Sequence, residues 1–259
     1  SIYVLTIQTP YSNISITIDE ESYTTDYEGK IRVFVPSGSY TVNVPTIISI
    51  GSSSRGVFKW WSDNNQTNPS RTITVTGSTT YTACYETQYK ITFNQLGVGT
   101  DFTETVVTID GTEYNATNLP VSFWWNNGTI HTFAFQSPFV VTPNTKRYVW
   151  NSTSGLSSLQ NDPITVSTFG NIIGNYKTQF YLTLATSPHG VTTPSGEGWH
   201  YNGADAFIST DEFVNITSGA SRYLFNGWTT TDMTEISDPN SPSTTVRMDK
   251  AKTVTANYI

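Results

Sequence analysis

Side chains able to do chemistry near neutral pH are scarce: three histidines, His131, His189 and His200, and one cysteine, Cys84. No histidine has a cysteine or carboxylate at the spacing a metal site needs, so all three read as surface or turn residues. Cys84 has no His, Lys or Arg nearby in sequence to lower its pKa and reads as an inert thiol; a thioester with Gln88 or an intermolecular disulfide is the alternative. Asp19, Glu20, Glu21, Asp26 and Glu28 gather the oxygens calcium prefers, but their spacing fits no calcium loop. That group and the Asp232, Glu235, Asp238 loop both read as solvated acidic edges. No GxSxG, P-loop, dinucleotide fingerprint or HExxH occurs, and no carboxylate pair recurs in the manner of a glycosidase. The expectation is a protein without catalytic residues, cofactor or metal.

What remains is modification and surface recognition. Six Asn-X-Ser/Thr sequons, at Asn13, Asn65, Asn115, Asn127, Asn151 and Asn215, are candidate glycosylation sites and point to export. Trp61, Trp150 and Trp228 fall at one equivalent place in an internal repeat and read as core anchors. Pleat parity then turns Trp60 outward, and it leaves Trp124 on the face opposite Trp125, which is in register with Val33 and Val35. Trp60 and Trp124, with Trp199, are candidates for a partner interface or a glycan platform; burial under a loop or domain junction is the plainer reading.

These residues must be carried by strands. Alternation with period two runs through Val4–Ile7, Ile14–Ile18, Ile31–Val35, Tyr40–Val44, Thr105–Ile109, Phe123–Phe135 and Val246–Met248, punctuated by Gly, Pro, Asn and Ser. YETQYKITF (Tyr85–Phe93) returns as YKTQFYLTL (Tyr176–Leu184). The chain opens on SIYVLTI (Ser1–Ile7), matching TQYKITF, and closes on VTANYI (Val254–Ile259), matching YTACYE (Tyr81–Glu86). Val75 to Tyr85, Val166 to Tyr176 and Met248 to Tyr258 are each ten residues apart. Further upstream, ITIDEESY (Ile16–Tyr23) corresponds to VTIDGTEY (Val107–Tyr114). Self-similarity of this kind marks an array. The fold class expected is all-β: three tandem β-sandwich (Ig-like) repeat domains over residues 1–86, 87–177 and a divergent 178–259. Only Glu86, Thr87 and Gln88 separate the closing tyrosine of one repeat from the first strand of the next, so the domains should join without linkers into a stiff rod.

Composition agrees with an exported, non-catalytic chain. Of 259 residues 20 are acidic and 13 basic, a net charge of −7, so the basic footprint of a nucleic-acid partner is missing. No apolar run reaches the roughly eighteen residues of a membrane span. Ser1 stands at the start of a strand pattern without an initiator Met, as expected of a mature secreted form. Charged residues are only 13%, so the surface should change little with pH and suit an acidic habitat.

The segment YLFNGWTTTD…TTVRMDKAKTVTANYI (Tyr223–Ile259) resembles the closing motif of internalin-type B repeats and of archaeal cell-surface repeats. LPVSFWW (Leu119–Trp125), KRYVWNSTSGLS (Lys146–Ser157) and GNYKTQFYLTL (Gly174–Leu184) are similar to repeats of archaeal surface-layer and thread-like filament proteins. The resemblance implies a structural or adhesive protein of the cell surface with no catalytic residues to carry over. Repeat one departs from the motif, with Trp60 where the motif has Gly and Thr-Gly-Ser-Thr in place of the Met-Asp turn.

Together these readings predict a subunit of an extracellular filament or surface layer whose main partner is itself. ANYI (Ala256–Ile259) followed by another copy's SIYVLTI would rebuild the internal junction, which makes Ser1, Ile2, Tyr3, Val4, Leu5, Thr6 and Ile7 the candidate assembly strand. The alternative is an adhesion or carbohydrate-binding module whose partners are glycans or other surface proteins.

Overall fold

The computed structural model describes residues 1–217 and 221–259. It is built almost wholly of strands, and the described residues include only two short 3-10 turns, Ala116–Asn118 and Met233–Glu235. The all-β expectation therefore holds. In chain order the strands are β1 (Ile2–Gln8), β2 (Ser15–Ile18), β3 (Glu21–Thr24), β4 (Lys30–Pro36), β5 (Gly38–Asn43), β6 (Ile47–Gly51), β7 (Ser54–Trp61), β8 (Ser70–Val75) and β9 (Thr79–Leu96). There follow β10 (Thr105–Ile109), β11 (Thr112–Asn115), β12 (Val121–Asn126), β13 (Ile130–Phe135), β14 (Phe139–Thr142), β15 (Lys146–Gly155), β16 (Asn161–Thr165) and β17 (Gly170–Ser187). The last are β18 (Gly198–Tyr201), β19 (Ala204–Ser209), β20 (Phe213–Thr217), β21 (Ser221–Thr229), β22 (Ser243–Met248) and β23 (Lys252–Tyr258). Both junction motifs found in the sequence lie inside uninterrupted strands of 18 residues, β9 and β17.

The chain divides into two compact units, one of Ser1–Thr92, Ser122–His131 and Pro163–Asn171, the other of Phe93–Val121, Thr132–Asp162 and Ile172–Ile259. In the first, β1 lies antiparallel to β4 (Ile2↔Pro36 to Gln8↔Lys30) and parallel to β9 (Leu5↔Thr79 to Gln8↔Thr82). Strand β7 pairs with β9 and with β6, and a second sheet runs β3-β2-β5-β8. Alternate residues of the two sheets meet in one core of Leu5, Ile7, Ile16, Ile18, Val42, Trp61, Ile73 and Val75, all nearly inaccessible to solvent. Burial of that apolar surface holds the sandwich together, since no disulfide is present.

In the second unit β17 is flanked by β15 and β18, both antiparallel, and its C-terminal half runs parallel to β23 (Leu182↔Lys252 to Ser187↔Asn257). One core gathers Leu182, Ile208, Trp228, Val246, Met248, Val254 and Tyr258. A run of touching aromatic rings, Phe102–Phe139–Tyr176–Phe135–Phe133–Phe93, fills the rest. The first strand of the opening repeat and the first strand of the closing repeat thus meet their last strands in one register, Leu5↔Thr79 and Leu182↔Lys252.

The Asp of the repeated Thr-Ile-Asp segment explains a local similarity. Asp19 and Asp110 both adopt left-handed backbone, at φ 49° and 46°. Each carboxylate accepts a backbone N–H from the strand beside it, Thr41 at 2.7 Å and Thr132 at 2.8 Å. Asp tolerates that conformation because its short side chain satisfies the turn.

Candidate functional site

The pairing of each closing strand with the strand two before it in sequence is the best-defined repeated geometry, β8 and β22 between them lying in other sheets. Tyr85 stands opposite Phe58, and Tyr258 opposite Phe225. The rings meet edge to face at 5.7 and 6.0 Å, and Phe58 and Phe225 in turn meet Trp61 and Trp228 at 5.9 and 5.7 Å. Each closing phenol donates to a carbonyl in the preceding connection: Tyr85 to Pro45, Tyr176 to Gln136, Tyr258 to Asp211. Burial pushes the hydroxyls of Tyr85 and Tyr176 well above the ordinary tyrosine value, so they remain donors.

Trp150 departs from the expectation. It pairs with Tyr176, which is the place of Phe58 and Phe225, and it is only half-buried. The place of Trp61 (opposite Ala83) and Trp228 (opposite Ala256) belongs to Thr153, opposite Gly174. A Cβ on Gly174 would come within 2.6 Å of the Phe135 ring. Phe135 therefore fills from the facing sheet the volume that Trp61 and Trp228 fill in the other repeats. The alignment on tryptophan was three residues out, because volume was conserved while residue type was not.

Asn175 and Asn257, one residue before their closing tyrosines, share a role. Their amides donate across a β-bulge to Ser152 O (3.4 Å) and Gly227 O (3.0 Å), and to Ser154 Oγ and Thr229 Oγ1. Cys84 holds this position in repeat one, half-buried opposite Trp60, beside a bulge between Phe58 and Trp60.

Two further clusters were missed in the sequence. Arg55 Nε donates to Gln88 Oε1 at 2.8 Å, and its guanidinium lies over the Trp124 ring at 4.4 Å. Arg147 Nε donates to Gln179 Oε1 at 2.7 Å and its guanidinium covers Trp199 at 4.5 Å. In both, the glutamine belongs to the recurring Thr-Gln-aromatic motif, in the strand next to the arginine's own. Gln88 also donates to Asn126 Oδ1, and partial burial draws the Arg147 guanidinium below its ordinary value. Trp124 and Trp199 are thus half-buried rings with one face already covered by a cation. Trp60 is different: 43% exposed, it keeps the outward aspect parity assigned to it.

The candidate assembly strand lies within its own sheet. Leu5 and Ile7 are fully buried, Thr6 nearly so, Tyr3 and Val4 half-buried, and Ser1 and Ile2 exposed. Of the sequon asparagines, Asn13, Asn65, Asn127, Asn151 and Asn215 are exposed. Asn115 is half-buried and caps a 3-10 turn, its Oδ1 accepting from Thr117 N, Thr117 Oγ1 and Asn118 N. The acidic groups are more engaged than expected. Asp26 and Glu28 pair with Arg32 and Lys30, and Glu235 pairs with Lys250 and with Lys252, itself buried. His189 sits in a turn, whereas His131 lies in β13 stacked on Trp125 at 3.7 Å, and His200 lies in β18 against Gly196 O. Among the described residues no group of three or more His, Cys, Asp or Glu is placed to hold a metal, and no helix is long and apolar enough to cross a membrane.

No protein-family model and no curated protein matches the sequence. Among solved structures the chain is similar to the Bacillus anthracis TIE protein at 9% identity and a TM-score of 0.32, over 99% of this chain and 50% of that one. It is also similar to the major pilin T-13 of Streptococcus pyogenes (8% identity, TM-score 0.21, 68% of this chain and 96% of that one). A third is the pilus adhesin SpaC of Lactobacillus rhamnosus GG in its open conformation (10%, 0.24, 100% and 43%). At these scores none of them assigns this chain a family or a role.

Proposed function

We infer that the protein is a non-catalytic structural subunit of an extracellular polymer, a filament or surface layer, organised as three repeats over 1–86, 87–177 and 178–259 and assembling head to tail with copies of itself. The observation that carries this reading is the shared register Leu5↔Thr79 and Leu182↔Lys252: first and last strands of a repeat lie side by side, while β9 and β17 each carry a closing tyrosine and the next first strand in one run. A strand equivalent to β1, following β23 of another copy, would repeat that plan between molecules. The first strand, Ser1–Ile7, would then exchange from its own sheet into a neighbour's, conserving the ladder and the burial of Leu5 and Ile7. The exposed sequons would carry the glycans of a surface protein.

Val4 and Phe34 face each other across β1 and β4, so Val4→Cys with Phe34→Cys, in a Cys84→Ser background, staples the first strand in place. Electron microscopy of the unaltered chain should show fibres or sheets, and the oxidised staple should leave single particles that polymerise again on reduction. Single particles of the unaltered chain at every concentration, or a stapled chain that polymerises as well, would sink the reading. The exposure of Trp60 favours a second reading, an adhesion or carbohydrate-binding module. Non-assembling particles with glycan binding abolished by Trp60→Ala would select it.

A further inference from the structure

Among the described residues β4 pairs with β1 alone, and β12 and β18, which hold its place beside β9 and β17, are also paired on one side. An open edge at this strand therefore belongs to the repeat plan. In β18 the edge is blunted by a length of four residues, whereas β4 runs seven residues in unbroken register. Just before β4, Thr9 of the β1 side donates to Gly29 O. Alternation then turns the backbone groups of Ile31, Val33 and Val35 toward β1, and those of Lys30, Arg32, Phe34 and Pro36 toward the edge. Lys30 is satisfied by the preceding turn: its N–H donates to Asp26 Oδ1 and its C=O accepts from Asp26 N, both at 2.9 Å. Pro36 has no N–H. The edge thus offers the N–H and C=O of Arg32 and Phe34 and the C=O of Pro36.

We propose that this edge pairs antiparallel with β4 of a second copy about a two-fold axis at Phe34. Each Phe34 then donates to the C=O of the other, and each Arg32 donates to the C=O of the facing Pro36. Every open N–H on both strands finds an acceptor; only the Arg32 C=O, which can face water, is left over. The neighbouring two-fold register, centred on Val33, would drive Pro36 of one copy into the Asp26 turn that closes the edge at Lys30 of the other. The side chains agree with the Phe34 axis. Phe34, 78% exposed, meets its counterpart on the outer face, and half-buried Val33 meets Val35 on the core side. Arg32 is already neutralised by Asp26 and Glu28, and its two copies fall four residues apart along the ladder, roughly 13 Å. The contact is isologous and closes at two copies. It is separate from head-to-tail addition and holds whether β1 stays in its own sheet or is lent to a neighbour.

Disulfide trapping tests the axis. In a Cys84→Ser background, Phe34→Cys sets two thiols in a hydrogen-bonded pair with Cα atoms about 5.5 Å apart, within disulfide reach. At micromolar protein it should oxidise to a covalent dimer at least about tenfold faster than Tyr27→Cys, because pairing holds the thiols at millimolar effective concentration. Tyr27, 89% exposed and outside the strand, is the control for random collision. A denaturing gel reads the bond, so head-to-tail polymers neither mask nor mimic it. Hydrogen exchange gives a second readout without cysteine. The Arg32 amide should be protected in the unaltered chain and lose that protection in Phe34→Lys, which sets like charges directly opposite each other. Equal oxidation of the two cysteine variants overturns the proposal, as does an Arg32 amide that exchanges equally fast in the unaltered chain and in Phe34→Lys.

Discussion

At the scale of single residues, the repeats act as controls for one another. The amides of Asn175 and Asn257 bridge a bulge that repeat one also contains, yet Cys84 stands where the amide would be. A half-buried thiol is a weak donor and leaves that bulge without the crossing bond. Cys84→Asn should therefore stabilise the protein by about 1 kcal/mol, the net worth of an ordinary hydrogen bond. Chemical denaturation that shows no gain would mean that the Trp60 side chain denies the amide its geometry. The position of Cys84 was legible from spacing to the closing tyrosine alone. The arginine clusters were not, because guanidinium, amide and indole come from three separate strands and only the amide belongs to the repeated motif.

At the scale of elements, strands were easy to place and the identity of their occupants was not. Period-two alternation located β2, β4 and β5 in the first unit because each has one face on a core and one facing solvent, whereas in β1 Leu5, Thr6 and Ile7 are buried in succession. The junction motifs were legible as strands, and the structure extends each to 18 residues by joining a closing strand to an opening one. Trp150 misled for a physical reason. A core position is defined by the volume it must supply, and Phe135 on a facing strand supplied it at the middle repeat's equivalent of the Trp61 place, where Thr153 and Gly174 stand opposite each other. Sequence spacing along one strand carries no record of such a trade between sheets.

At the scale of the whole molecule, sparse charge implies tolerance of acid, and the ion pairs qualify that. Hydrogen bonds from Lys146 and Tyr148 hold the Asp101 carboxyl below the usual carboxylate range, and Arg71 does the same for Asp63. A carboxyl whose folded pKa is depressed adds stability above its unfolded value and loses it as pH falls through the folded one. Melting temperature should therefore stay level from about pH 7 to 5 and decline only below about pH 4. Asp101→Asn should lower it on the plateau and leave the most acidic melts unchanged, as thermal circular dichroism can check. A decline beginning at pH 6 would overturn this account.

The parallel pairing of first and last strands has a mechanical consequence. Tension along the chain enters the opening repeat through β1 and leaves through β9, two strands lying side by side and pointing the same way, and the closing repeat is loaded likewise through β17 and β23. Such a load shears every bond between the paired strands together, whereas a hairpin pulled from its open end unzips one bond at a time. Single-molecule stretching should accordingly need more force from the ends than from attachment points at Lys30 and Gln8, the neighbouring ends of antiparallel β4 and β1. A chain built this way resists a pull through strand pairing loaded in parallel.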